Sequence, residues 1–259
     1  MKPKTPLSIT SQILEKAKEF GASLAGITNV DALKKSPSHL IYGALDEFKT
    51  VGNKESGKVK LGEVSWPENA KSAIIIAVEH PEEKPELDWW KDGYSGGTVG
   101  NRILMSINSK ISRWLEEEKG IKTNKLPYHI EDGGIFLKDA AVMAGLGCIG
   151  KNNMLVTPEY GPRVRLRAML TDVVLQGTGP IDFDPCEDCG MPCRIACPQN
   201  AFRDGAYSRA FCNIQMERDR ANAAVAKARE KIDKPSLPVK YCRACELSCP
   251  LGKFLLQFS

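Results

Sequence analysis

From residue 9 to residue 20 the apolar positions recur at helical spacing. Ile9, Ile13, Leu14, Ala17 and Phe20 share one face, Ser8 supplies a cap and Gly21 a stop, so the pattern predicts a helix. The SLAGIT segment (23–28) then predicts a short strand, and residues 31–70 read mostly as polar loop, interrupted by prolines and glycines. SAIIIAV (72–78) is apolar without a break and predicts a buried strand. A glycine-rich turn from Tyr94 to Gly100 leads into a helix carrying Ile103, Leu104, Ile107, Ile111, Trp114 and Leu115. A further helix is predicted over about 134–144, and an alternating strand from Arg163 to Leu170. Helices and strands intermingle, so this part of the chain is α/β or α+β.

Composition narrows the function classes. The chain has 259 residues, 26% charged, 42% hydrophobic and 7% aromatic, which argues for a folded protein. No apolar stretch approaches the ~20 residues of a membrane-spanning helix. The opening MKPKTPLSIT has lysines without an apolar stretch behind them, so a secretory signal is not expected and a cytoplasmic location is. A net charge of +4, from 36 basic and 32 acidic residues, is too mild to argue for nucleic acid by itself.

Eight of the nine cysteines follow residue 185. In a reducing compartment such clusters hold metal rather than disulfides. The first run is Cys186, Cys189, Cys193 and Cys197-Pro198; Cys212 follows; the second run is Cys242, Cys245 and Cys249-Pro250. Eight thiolates suit two 4Fe–4S clusters. A cysteine before proline sits where the chain turns away, and it reaches the neighbouring cluster. That predicts Cys186, Cys189, Cys193 and Cys249 on one cluster, and Cys197, Cys212, Cys242 and Cys245 on the other. Structural zinc is the alternative, but it explains neither the two Cys-Pro endings nor four cysteines within twelve residues. Three residues separate Cys189 from Cys193, one more than the bacterial ferredoxin run has, and the extra residue is expected to bulge out. These runs divide the chain into a 1–180 domain and a 181–259 domain. The alanine-rich stretch between Cys212 and Cys242 predicts a solvated helix ended by Pro235.

Gly145-Leu-Gly147-Cys148-Ile149-Gly150 has the letters of a dinucleotide fingerprint. The residues before it read as helix where the fingerprint needs a strand, so Gly145 is a helix stop and a dinucleotide site is not predicted. His39, His80 and His129 are scattered, with no ligand spacing.

The string Ala144-Gly-Leu-Gly-Cys-Ile-Gly-Lys-Asn152, then Thr157-Pro-Glu-Tyr-Gly-Pro-Arg-Val-Arg-Leu166, then Thr171-Asp172 and the cysteine runs, resembles the cobalamin-dependent iron–sulfur reductases, epoxyqueuosine reductase and the reductive dehalogenases. The opening ILEKAKEFGASLAGIT resembles epoxyqueuosine reductase as well. The resemblance implies a nitroreductase-like α/β domain holding a corrinoid, followed by a two-cluster ferredoxin-like domain. It implies that electrons pass from a donor such as ferredoxin or flavodoxin through two 4Fe–4S clusters to a base-off cobalamin that reduces a small substrate. By motif position, Gly147, Cys148, Ile149, Gly150, Lys151, Met154, Arg163 and Arg165 would bind the corrinoid. Asp132, or Glu131 beside it, would be the proton donor, Asp132 having helix capping as its alternative role, and Tyr94 is a further catalytic candidate. The family's Arg-Gly-x-Asp-Tyr-His type segment is replaced here by Tyr94–Asn101, and the tRNA-gripping helical extension does not follow Cys249. A tRNA substrate is therefore not the first expectation. An electron-transfer or corrinoid-reactivating protein is the alternative of another class.

Overall fold

The computed structural model describes residues 8–45, 60–230 and 237–252, without side chains for 226–230. The elements in chain order are α1 (Ile9–Glu19), β1 (Leu24–Asn29), α2 (Val30–Leu33), α3 (Pro37–Tyr42), β2 (Ser72–Glu79), α4 (Val99–Lys119), β3 (Thr123–Lys125), α5 (Leu137–Met143), β4 (Cys148–Ile149), β5 (Leu155–Val156), β6 (Val164–Thr171), α6 (Pro192–Ile195), α7 (Arg209–Glu230) and α8 (Ala244–Leu247). They form two compact units that exchange chain several times. The first comprises Met1–Val78, Leu104–Leu146 and Leu166–Ile181; the second comprises Glu79–Ile103, Gly147–Arg165 and Asp182–Ser259. The cysteine runs thus share a unit with the Tyr94 turn and with the 147–165 segment.

The first unit is built on a four-stranded sheet of order β1-β2-β6-β3. β1 and β2 are antiparallel, with Gly26 opposite Ile75, and β3 is antiparallel to β6, with Asn124 opposite Leu170. β2 is buried on both faces, which is why its sequence is apolar throughout. Ile74, Ile76 and Val78 join Ile13 and Ala17 of α1, Leu104, Ile107, Ile111, Trp114 and Leu115 of α4, and Met169 of β6 in one core. α5 packs on β1, where Gly26 makes the approach possible: a Cβ there would lie 2.4 Å from the Ala144 carbonyl oxygen.

Ser8 caps α1 by accepting from the Ser11 amide, and Gly145 ends the 137–143 helix region with φ +76°. Both follow the sequence pattern. Two local expectations are corrected and one strand is new. The 31–70 stretch holds two short helices, α2 and α3, because Asn29 caps α2 and Ser36-Pro37 opens α3. β3 has no apolar alternation and escaped the pattern. Asp132 does not cap α5: it closes a separate 3-10 turn (Ile130–Asp132) that ends at Gly133, φ +97°, and Phe136 takes the cap position. No described helix is long and apolar enough to cross a membrane.

Candidate metal centre

The second unit draws its thiols from distant segments. Cys186, Cys189, Cys193 and Cys249 line one cavity of about 270 Å³, together with Val156, Pro192 and Leu251. Burial pushes the Cys193 and Cys249 thiols above their ordinary range, and the thiols of this same group push both further up. The remaining four make a second group. Burial, then the thiols of Cys242, Cys212 and Cys197 with Glu246, push Cys245 up to about 12. Cys242 is raised by burial and by Asp219, Cys212 and Cys197. Thiols crowded in this way become thiolates only when a cation compensates them, so the donor set suits a metal centre. Among the described residues, no three His, Cys, Asp or Glu side chains converge closely enough to hold a single metal ion.

Local structure explains how each run wraps. Met191 takes the left-handed conformation (φ 51°, ψ 47°), which absorbs the extra residue after Cys189 and lets Pro192 open the helix that carries Cys193. The Ala201 amide donates to Cys197 Sγ at 3.3 Å and the Ala244 amide to Cys242 Sγ at 3.5 Å. Cys212 sits in the first turn of α7, and Asp219, two turns on, accepts the Cys242 amide at 2.8 Å.

The 157–165 stretch supports the second run. Gly161, with φ +55°, packs so closely on the chain after Cys249 that a Cβ would lie 2.3 Å from the Leu251 carbonyl oxygen. Arg163 is buried and donates to the carbonyls of Leu247 (3.1 Å), Cys249 (3.0 Å) and Leu251. Arg165 donates to both oxygens of Asp88 at 2.9 Å and to Glu246 at 2.9 Å. Arg243 reaches Asp88 at 3.2 Å and Glu246 at 2.6 Å, and His80 Nδ1 lies 2.8 Å from Asp88. Burial works against ionised Asp88, but His80, Arg165 and Arg243 more than offset it and hold the carboxyl below its ordinary range.

These contacts bear on the residues expected to bind a corrinoid. The donors of Arg163 and Arg165 are directed at protein carbonyls and carboxylates, an arrangement that does not fit a phosphate contact. A Cβ on Gly147 would meet the Val156 carbonyl oxygen at 2.0 Å, and one on Gly150 would meet Val156 Cγ2 at 2.6 Å, so both glycines serve the β4–β5 hairpin. Cys148 is half-buried and its thiol is pushed up to about 11 by burial, Cys186 and Asp184. Ile149 and Lys151 are exposed and Met154 is half-buried. Of the catalytic candidates, Asp132 and Glu131 lie in the first unit's 3-10 turn. Glu131 Oε2 is buried with no hydrogen-bond partner among the described residues. Tyr94, in the second unit, is half-buried with the Arg102 guanidinium 4.7 Å from its ring centre.

A curated epoxyqueuosine reductase from Lactococcus garvieae is 27% identical over 258 residues, covering 95% of this chain and 70% of the relative. One from Bacillus subtilis is 24% identical, covering 95% of this chain and 64% of the relative. The chain is a homologue of epoxyqueuosine reductases. It spans about two thirds of their length, and the relatives are oxidoreductases. Its fold matches that of an epoxyqueuosine reductase solved with an epoxyqueuosine-modified tRNA-Tyr stem loop (TM-score 0.62, 24% identity, 94% of this chain and 65% of that one). It also matches a reductive dehalogenase structure described as suggesting a mechanism for B12-dependent dehalogenation (TM-score 0.50, 19% identity, 78% of this chain and 27% of that one). No family model matches the chain.

Proposed function

We propose that this chain is an iron–sulfur reductase whose eight cysteines hold two 4Fe–4S clusters and relay electrons, one at a time, from a low-potential donor such as ferredoxin or flavodoxin. The observation that carries this reading is the partition of the thiols. Each group of four brings together cysteines of both runs, Cys249 lying with Cys186, Cys189 and Cys193, and Cys197 with Cys212, Cys242 and Cys245. That crossing is what two adjacent cubanes require. When bound, the clusters supply outer-sphere electron transfer. The chain's own residues hold the thiolates, donate amides to sulfur and, in the Arg163 clamp, keep the Cys249 turn in place.

The electron acceptor we infer is cobalamin acting on a small substrate, by likeness to the relatives and not by residues at Arg163 or Arg165. Asp132 and Glu131 are the proposed proton donors. Glu131 has a buried carboxyl oxygen still available to a ligand, whereas Asp132 is already engaged within the protein. A tRNA substrate is the second reading, favoured by the matching fold of a protein solved with a modified stem loop.

Anaerobic reconstitution tests the proposal. The chain should turn brown, bleach on reduction and take up cobalamin with base-off absorption. Uptake of clusters without cobalamin would make it an electron carrier, and a tRNA gel shift at stated salt would separate the two substrate readings.

A further inference from the structure

Arg163 stands apart from the half-buried arginines of its unit, Arg165 and Arg243. It is 4% exposed, and among the described residues all of its hydrogen bonds go to backbone carbonyls, with no carboxylate in ion-pair range. A guanidinium keeps its charge under all ordinary conditions. A buried charge without a counter-ion is expensive, so the chemistry asks where the anion is. The neighbouring arginines answer that question internally: Arg165 and Arg243 share Asp88 and Glu246, two positive and two negative charges that cancel. Among the described residues, the group beside Arg163 that can carry a negative charge is the Cys249 thiol of the first group. Arg163 donates to the carbonyl of Cys249 itself, and its charge acts to lower the Cys249 thiol.

We propose that Arg163 is the buried counter-charge of the Cys186–Cys189–Cys193–Cys249 centre and makes that centre the higher-potential one of the two. The inference rests on the two-cluster reading above. A four-thiolate cubane is a net anion, and each added electron increases its negative charge. A fixed cation next to it therefore favours the reduced form. Asp184 and Asp188 also lie near this centre, but they are exposed, and water and salt screen them. Beside the second centre Arg209, near the Tyr207–Cys212 pair, is only half-buried, so the described residues place no fully buried cation there. Asp219, half-buried, accepts the Cys242 amide, and the Glu246 charge beside Cys245 is already matched by arginine. The relay then has a direction: one electron leaves the reduced second centre and enters the oxidised first centre. The donor restores the second centre, and no proton is required.

The experiment is an EPR-monitored redox titration of the anaerobically reconstituted full chain, with iron and sulfide measured on the same samples. Wild type, R163Q and R163K are compared. In R163Q the higher of the two midpoints should fall by at least a tenfold change in its reduction equilibrium, about 59 mV for a one-electron couple, while the lower stays in place. R163K, which keeps the charge, should retain the wild-type value. If R163Q assembles only one cluster, R163K must still assemble both. A lower midpoint that moves instead, no movement, equal movement of both, or R163K behaving as R163Q would overturn the proposal. Wild type without iron and sulfide would remove the two-cluster reading, a failure visible before any variant is titrated.

Discussion

The Asp88 node offers the sharpest test of how the second unit is held together. Its carboxylate accepts two hydrogen bonds from Arg165 and lies beside His80 and Arg243. Asp88→Asn keeps the shape and removes the charge, so two guanidiniums are left to share Glu246. Removing one partner of a buried ion pair costs about 3–5 kcal/mol. Asp88 retains 17% exposure and Arg165 23%, and solvent screening of that degree reduces the expectation to about 2–3 kcal/mol. For a chain of this size each kcal/mol moves the melting temperature by about 2–4 °C, which gives a loss of about 4–12 °C. The assay is thermal unfolding of the cluster-loaded protein under argon, both chains at one scan rate, because metal-bearing proteins rarely unfold in two states. Asp88 has a folded value held below its ordinary 3.8, so its contribution is fully present above that value and is lost only as pH falls through the folded one. The gap should therefore shrink once pH falls below that ordinary value, as the carboxyl becomes protonated in both states. A loss under about 2 °C would refute the reasoning, and so would a gap that widens as pH falls below the ordinary value of Asp88.

Three further outcomes follow from the same geometry. Cys193→Ser and Cys197→Ser should each remove about half of the iron, yet from different centres, so their EPR signals should be complementary; identical residual signals would contradict the crossed ligation. His39 is buried against Phe136 and Trp66, accepts the Phe136 amide at Nε2, and is pushed down to about 4 mainly by burial. Stability from keeping it neutral is complete above 6.5 and is lost as pH falls toward about 4, so an NMR titration should find one imidazole still neutral well below 6.5. Gly147→Ala places a Cβ 2.0 Å from a backbone oxygen at φ +151°; it should cost about 2–4 kcal/mol, and hydrogen exchange should show the β4–β5 hairpin losing protection.

How much was legible follows from what each signal depends on. The uninterrupted apolar run of β2 and the helical stripes of α1 and α4 encode burial directly, so the pattern located them. Cys-Pro marks a turn in each run, and Cys249 of the second run does line one cavity with Cys186, Cys189 and Cys193. The 31–70 stretch hid two helices because each is one or two turns long, α2 resting on the Asn29 cap and α3 opening on Pro37 without a side-chain cap. Arg163 and Arg165 alternate on a strand and read as ligand contacts or surface charges. Their partners lie more than 75 residues away in sequence, and only tertiary packing turns them inward. Asp132 carried a cap residue's letter, but the left-handed Gly133 detaches its turn from α5.

The most direct test of the central claim is the metal and sulfide content of the chain purified and reconstituted without oxygen. The account predicts about eight iron and eight inorganic sulfide per chain, in brown protein that accepts electrons. Colourless protein carrying stoichiometric zinc and no sulfide would contradict it.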